Sequence, residues 1–154
     1  MIFAVIALLS SLFLFNPASL QAETKVLAFA GSSRDGSYNF ALVNEAAAIA
    51  KSLGAKVIVI NLRDLPMPFY DADLEKSQGL PPSAQQLRSL MMANDVIFIA
   101  SPEYNSSVSA SLKNALDWAS RNEQGRPSRD AFKGKKFLIM SASPGKGGGS
   151  RGLE

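Results

Sequence analysis

No cysteine and no histidine occur anywhere in the 154 residues. Their absence removes disulfides, thiolate nucleophiles and Cys/His zinc sites, together with the one side chain that titrates near neutrality. Chemistry has to come from hydroxyls, carboxylates, amides, Lys or Arg, or from a borrowed cofactor; no metal centre is expected. Excess charge is scarce too. The formal net charge is +3 and the sixteen basic residues are spread along the chain, so no polyanion-binding stripe can be drawn and nucleic acid is not an expected partner. No Gly-Lys-Ser/Thr ends a Walker loop, and no G-x-G-x-x-G spacing marks a dinucleotide fingerprint. Internal repeats and low-complexity tracts are missing as well.

What is present is the composition of a globular core, 47% hydrophobic and 19% charged, at a length that fits one domain. The first 22 residues, MIFAVIALLSSLFLFNPASLQA, carry no charged side chain, and the apolar run from Ile2 to Phe15 is short for a bilayer span. It reads as a signal-peptide core with cleavage after Ala22, which would make the protein periplasmic or secreted. The missing Lys/Arg before the run and Leu20 two places before Ala22 fit that pattern poorly. A retained anchor, a misplaced start or a buried extension stay open, and without a signal peptide the protein is expected to be cytoplasmic.

Residues 23–154 alternate apolar strands with amphipathic helices. KVLAFAG (25–31), AKVIVINL (55–62), DVIFIAS (95–101) and KKFLIMSAS (135–143) are short apolar runs of the kind that forms strands buried on both faces. Between them, Leu42, Val43, Ala46, Ile49, Ala50 and Leu53 form one helical stripe closed by Gly54. Ser83 and Gln86 form a capping box before Leu87, Leu90 and Met91, and Leu112, Ala115, Leu116 and Ala119 mark a further stripe. The proline-bearing stretch 63–82 cannot be regular throughout and is expected to run over the surface. Strand and helix in strict alternation imply right-handed crossovers and an α/β fold with a parallel sheet between two helical layers. The chain stops at PGKGGGSRGLE where the alternation calls for another helix, so one edge strand and part of one face are expected to be open.

In an open parallel sheet ligands bind outside the carboxyl ends of the strands, and three unusual loops leave the strands there. AGSSRDGSYN leads from the first strand into a helix: Gly31 and Gly36 let the backbone bend, Ser32, Ser33, Ser37 and Asn39 can donate hydrogen bonds, and Arg34 adds fixed charge. That suits a phosphate, although an ordinary Ser/Asn-capped helix start also uses these residues. In SPEYNSSVSASLKNALDWASR, Pro102 and Tyr104 offer a rigid, partly aromatic wall, with Glu103 and Asn105 to read polar edges; a turn with a helix cap explains PEYN equally. Trp118, read as off the helix stripe, fits packing or a subunit contact better than a ligand platform. SASPGKGGGS brings Ser141, Ser143, Pro144 and Gly145 to the same rim, or is a flexible linker.

Together, in this order, GSSRDGSYN, SPEYNSSVSASLKNALDWASR and SASPGKGGGSR resemble the phosphate loop, flavin-ring segment and third loop of the NAD(P)H-dependent FMN reductase family, over residues from about Lys25 to the end. The resemblance implies a flavodoxin-like sheet of order 2-1-3-4, with the family's fifth strand and last helices missing. It implies that Ser32, Arg34, Ser37 and Asn39 hold the FMN phosphate. Pro102, Glu103, Tyr104 and Asn105 would then line the isoalloxazine and ribityl chain, and Ser141, Ser143 and Gly145 the opposite side. NADPH or NADH would be the electron donor, and a quinone, azo compound, free flavin or metal oxyanion the acceptor. With the flavin carrying the chemistry, no catalytic side chain is needed. A homodimer or homotetramer is implied if the fold is complete. A flavodoxin-type electron carrier and an inactive truncated remnant are the competing readings; the slight positive charge counts against the carrier.

Overall fold

The structure, a computed structural model, describes residues 23–154, so the apolar leader read at 1–22 lies outside the described residues. The elements are β1 (Lys25–Ala30), α1 (Tyr38–Ser52), β2 (Lys56–Asn61), α2 (Ala72–Gln78), α3 (Pro82–Ala93), β3 (Val96–Ala100), α4 (Ala110–Ala119) and β4 (Lys136–Met140). Two 3₁₀ turns, Leu62–Asp64 and Ser150–Gly152, follow β2 and the loop after β4. All strand pairs are parallel and the order is β2-β1-β3-β4, with Val26 beside both Val57 and Val96, and Val96 beside Lys136.

Strand alternation divides the core between the two faces of the sheet. On one face Leu27 and Phe29 of β1 and Ile97 and Ile99 of β3 meet Leu87 and Met91 of α3 and Leu112, Ala115 and Ala119 of α4. On the other, Ala28, Ala30 and Ala100 face Val43 and Ala47 of α1. Phe40 and Leu42 of α1 and Val57, Val59, Phe98 and Met140 of the neighbouring strands pack partly buried around that cluster.

The helix boundaries have local causes. α1 ends as the glycine predicts: Gly54 takes φ +89°, its N–H reaches the Lys51 carbonyl at 3.0 Å, and the Ala55 N–H reaches that of Ala50 at 3.0 Å. α3 departs from the predicted capping box. It starts two residues earlier, at Pro82, with Pro81 as the capping residue and no side-chain cap. A proline loses nothing at a first-turn position whose N–H has no helical acceptor, so Ser83 lies inside the helix instead.

The stretch 63–82 is only partly the predicted surface run. Asp71 accepts from the N–H groups of Asp73 and Leu74 (2.7 and 3.0 Å) and starts α2, while Leu65 and Glu75 are buried. Trp118 also departs from the reading that set it off the stripe. It is fully buried with Leu112, Ala115 and Ala119, and its indole N–H donates to the Pro68 carbonyl at 2.8 Å. Among the described residues, β4 pairs with β3 alone, and its Phe137, Leu138 and Ile139 are 40%, 41% and 47% exposed.

Candidate functional site

The first rim loop is pinned from below. The Gly31 N–H donates to the Ala100 carbonyl at 2.9 Å, and the hydroxyl of buried Ser109, which caps α4, donates to the Gly31 carbonyl while accepting from the Leu112 N–H at 3.2 Å. A Cβ on Gly31 would stand 2.8 Å from Leu112 Cβ and 2.9 Å from Ser109 Oγ, so only glycine allows α4 to approach β1 this closely. Above it Ser32 is buried and its Oγ accepts from the Arg34 N–H at 3.4 Å. Gly36 takes φ +62°, and Ser37 caps α1 by accepting from the Phe40 N–H at 3.2 Å.

Among the described residues, the N–H groups of Tyr38 and Asn39, in the first turn of α1, have no protein acceptor. Exposed Arg34 lies with its guanidinium carbon 5.9 Å from the centre of the Tyr38 ring. Arg63, just after β2, steadies the loop from outside: it pairs with Asp35 at 2.8 Å and also donates to the Ser33 carbonyl. These features converge free donors and positive charge on the head of a helix. An anion is the natural occupant.

The second loop leaves β3 through buried Ser101 and Pro102 and then doubles back. Tyr104 N–H donates to the Ser107 carbonyl at 2.9 Å and Ser107 N–H to that of Tyr104 at 3.1 Å, with Asn105 at φ +53° and Ser106 at φ +61° between them. Two left-handed residues inside such a pair make a type I′ turn. It projects Tyr104 and Asn105 into solvent and leaves Glu103 half-buried at its base.

The third loop is tied to the first. Asn39, buried in the first turn of α1, donates from Nδ2 to the Ala142 carbonyl and accepts at Oδ1 from the Ala142 N–H, both at 2.9 Å. The Gly145 N–H donates to Ser143 Oγ at 3.2 Å. Ser141 Oγ is buried beneath Gly149 and has no partner among the described residues. Arg151 closes the loop onto the second one, its N–H donating to Glu103 Oε2 at 3.2 Å and its guanidinium to Ser106 Oγ at 3.4 Å.

A cleft of about 290 Å³ opens where the three loops meet. Ser32, Arg34, Ser37 and Asn39 line it from the first loop, Pro102, Glu103 and Tyr104 from the second, and Ser143 from the third. Gly145 lines an adjoining cleft of about 310 Å³ together with Glu103 and Ser143. Asn105 and Ser141 line neither, the one at the turn tip and the other under the glycines. Tyr38, Ala142 and Pro144 also line the main cleft; Pro144 had been placed at the rim, but nothing in the sequence marked Tyr38 or Ala142 as wall residues.

Among the described residues, no group of three or more metal-ligating side chains occurs, and no helix is long and apolar enough to cross a membrane. The most perturbed titratable groups lie elsewhere. Arg121, just beyond α4, donates from Nε to both oxygens of buried Glu75 (2.8 and 3.0 Å), and the Tyr70 hydroxyl donates to Glu75 Oε2 at 3.1 Å. The guanidinium contact holds the Glu75 carboxyl below its ordinary value against the opposing effect of burial, while burial and then the bond to Glu75 push Tyr70 up.

A parallel sheet of order β2-β1-β3-β4, with a helix start rich in free donors after its first strand and two further rim loops, defines a flavodoxin-like α/β protein. The chain belongs to the NADPH-dependent FMN reductase family, whose model matches residues 24–154. It is 37% identical over 129 residues to an NAD(P)H-dependent FMN reductase of Pseudomonas aeruginosa, covering 84% of this chain and 65% of that protein. It is also 37% identical over 131 residues to an NAD(P)H:quinone oxidoreductase of Solanum tuberosum, covering 84% and 63%. The chain thus spans somewhat less than two thirds of the length of these relatives. Among solved structures, the NAD(P)H:(acceptor) oxidoreductase FerB of Paracoccus denitrificans superposes with a TM-score of 0.68 at 28% identity, over 84% of this chain and 66% of that one.

Proposed function

We propose that the rim cleft holds FMN and that the protein is an NAD(P)H-dependent oxidoreductase acting on a small acceptor. The carrying observation is the convergence of three loops, all within the stretch that the family model matches, on one cleft lined by Ser32, Arg34, Ser37, Pro102, Glu103, Tyr104 and Ser143. The residues fit the group. The unpartnered N–H groups of Tyr38 and Asn39 and the Arg34 guanidinium suit a dianionic phosphate, and the wall of Pro102 and Tyr104 suits a flat ring. Bound FMN would supply hydride acceptance from the nicotinamide and onward reduction of a quinone or similar acceptor.

The tasks left to the chain are binding and orientation. Ser32 and Ser37 hydroxyls, with Arg34, would grip the phosphate end; Glu103 would meet polar edges of the ring and ribityl chain; Ser143 and Gly145 would bound the opposite side. Assembly as a homodimer or homotetramer belongs to the same reading. The test is a titration of FMN into the purified chain, followed by flavin fluorescence and absorbance, and then NAD(P)H oxidation with a quinone. Quenched flavin fluorescence and acceptor-dependent turnover support the assignment. A chain that leaves FMN free in solution overturns it.

A further inference from the structure

We propose that the Asn39 side chain is a latch that fixes the loop after β4 to the head of α1, and so sets one wall of the cleft, instead of a phosphate ligand. The inference rests on the FMN reading of the rim and assigns Asn39 a different task from the one its place in GSSRDGSYN implies.

Both polar ends of the Asn39 amide are used on a single residue 103 positions away, Nδ2 to the Ala142 carbonyl and Oδ1 from the Ala142 N–H, each at 2.9 Å. Asn39 is 4% exposed, so this amide is held inside the structure and not at its surface. Ala142 lies two residues past the end of β4, where ladder pairing with β3 has stopped at Met140. A flat side chain with one donor and one acceptor stands in for the missing strand neighbour there. A carboxylate cannot donate, a hydroxyl is too short to meet both groups, and an aliphatic side chain would leave the Ala142 N–H and carbonyl unpaired. Ser143 and Pro144, the next residues along, line the cleft. Asn39 still offers its backbone N–H to an anion, so the residue serves the site twice, by main chain at the phosphate end and by side chain at the wall.

The two roles separate in ligand binding, because riboflavin lacks the phosphate. Asn39→Ala is expected to weaken FMN and riboflavin by the same factor, roughly tenfold each, leaving their affinity ratio as in the wild type. Arg34→Ala is expected to collapse that ratio by weakening FMN alone. Asn39→Ala behaving like Arg34→Ala, or leaving both flavins unaffected, overturns the latch. A second measurement does not depend on the variant folding: in the ligand-free wild type the Ala142 amide is expected to exchange slowly with deuterium, and exchange as fast as an open loop amide overturns the inference. A wild type that binds neither flavin sinks the FMN reading, while the Ala142 exchange rate still decides the latch.

Discussion

Arg34 and Gly31 show two kinds of demand within one short loop. Arg34 is exposed and supports nothing beneath it, so its worth lies in what it can reach. Arg34→Ala is expected to reduce FMN affinity by about 1.5–3 kcal/mol, the size of a hydrogen bond to a charged group, with unfolding free energy unchanged. Isothermal titration beside a urea melt checks both halves. Gly31 is the reverse case, since an added Cβ would meet Leu112 Cβ and Ser109 Oγ inside 3 Å. Gly31→Ala is expected to lower unfolding free energy by roughly 1–3 kcal/mol by prying α4 away from β1, and a urea midpoint equal to that of the wild type would show that the contact relaxes at no cost.

At the scale of elements, the turn after β3 is the feature whose conformation its residues tolerate least. Asn105 suits a left-handed φ, whereas Ser106 at φ +61° does not, and left-handed backbone costs an ordinary L-residue about 1–2 kcal/mol. Ser106→Gly is therefore expected to stabilise the chain by about 0.5–1 kcal/mol once glycine's entropy is set against it, and Ser106→Val to destabilise it. Thermal melts of the pair should move in opposite directions; a shared direction would mean that the loop rearranges.

The same scale separates what could be read from residue patterns from what could not. All four strands were legible because buried parallel strands are unbroken apolar runs, and α1 because its stripe ends at a glycine in the left-handed region. Pro81–Pro82 outweighed the Ser83/Gln86 box, since ring-fixed φ starts a helix without a side-chain cap. Trp118 is a packing residue, as read, but not off the stripe: the stripe was drawn along Leu112, Ala115, Leu116 and Ala119, although a residue three after Ala115 also turns inward once the Pro68 carbonyl is there for its N–H. For the site, the polar and glycine-rich loops were visible as motifs. The tie from Asn39 to Ala142 was not, because it joins elements 103 residues apart.

For the molecule as a whole, stability against pH should be governed in part by the ion pair that closes the end of α4. Glu75 of α2 is 5% exposed and takes both its strong bonds from Arg121 and Tyr70, so the segment between β2 and α3 is fastened to the loop beyond α4 through one carboxylate. Arg88 of α3, also buried, reaches the same loop through Glu123 and Asp130 at 3.0 and 3.1 Å. The Glu75 carboxyl is held below the usual value of about 4.3, so its contribution is complete above that value and is lost as pH falls through the lower value in the folded chain. Tyr70 is held above its usual value of about 10, so its contribution is complete below 10 and is lost as pH rises through the higher folded value. A plateau between roughly pH 5 and pH 9 follows, with an acid limb carried partly by Glu75. Glu75→Gln keeps the shape but removes the charge. At neutral pH it is expected to cost about 3 kcal/mol, the lower end for stranding one partner of a buried pair, because the amide can still accept from Arg121. Since other carboxylates titrate in the same range, the informative quantity is the difference between wild type and variant in urea melts from pH 7 to pH 3. That difference should shrink as the wild-type carboxyl takes up its proton, and a gap that stays constant down to pH 3 would show that the charge on Glu75 does not hold these elements together.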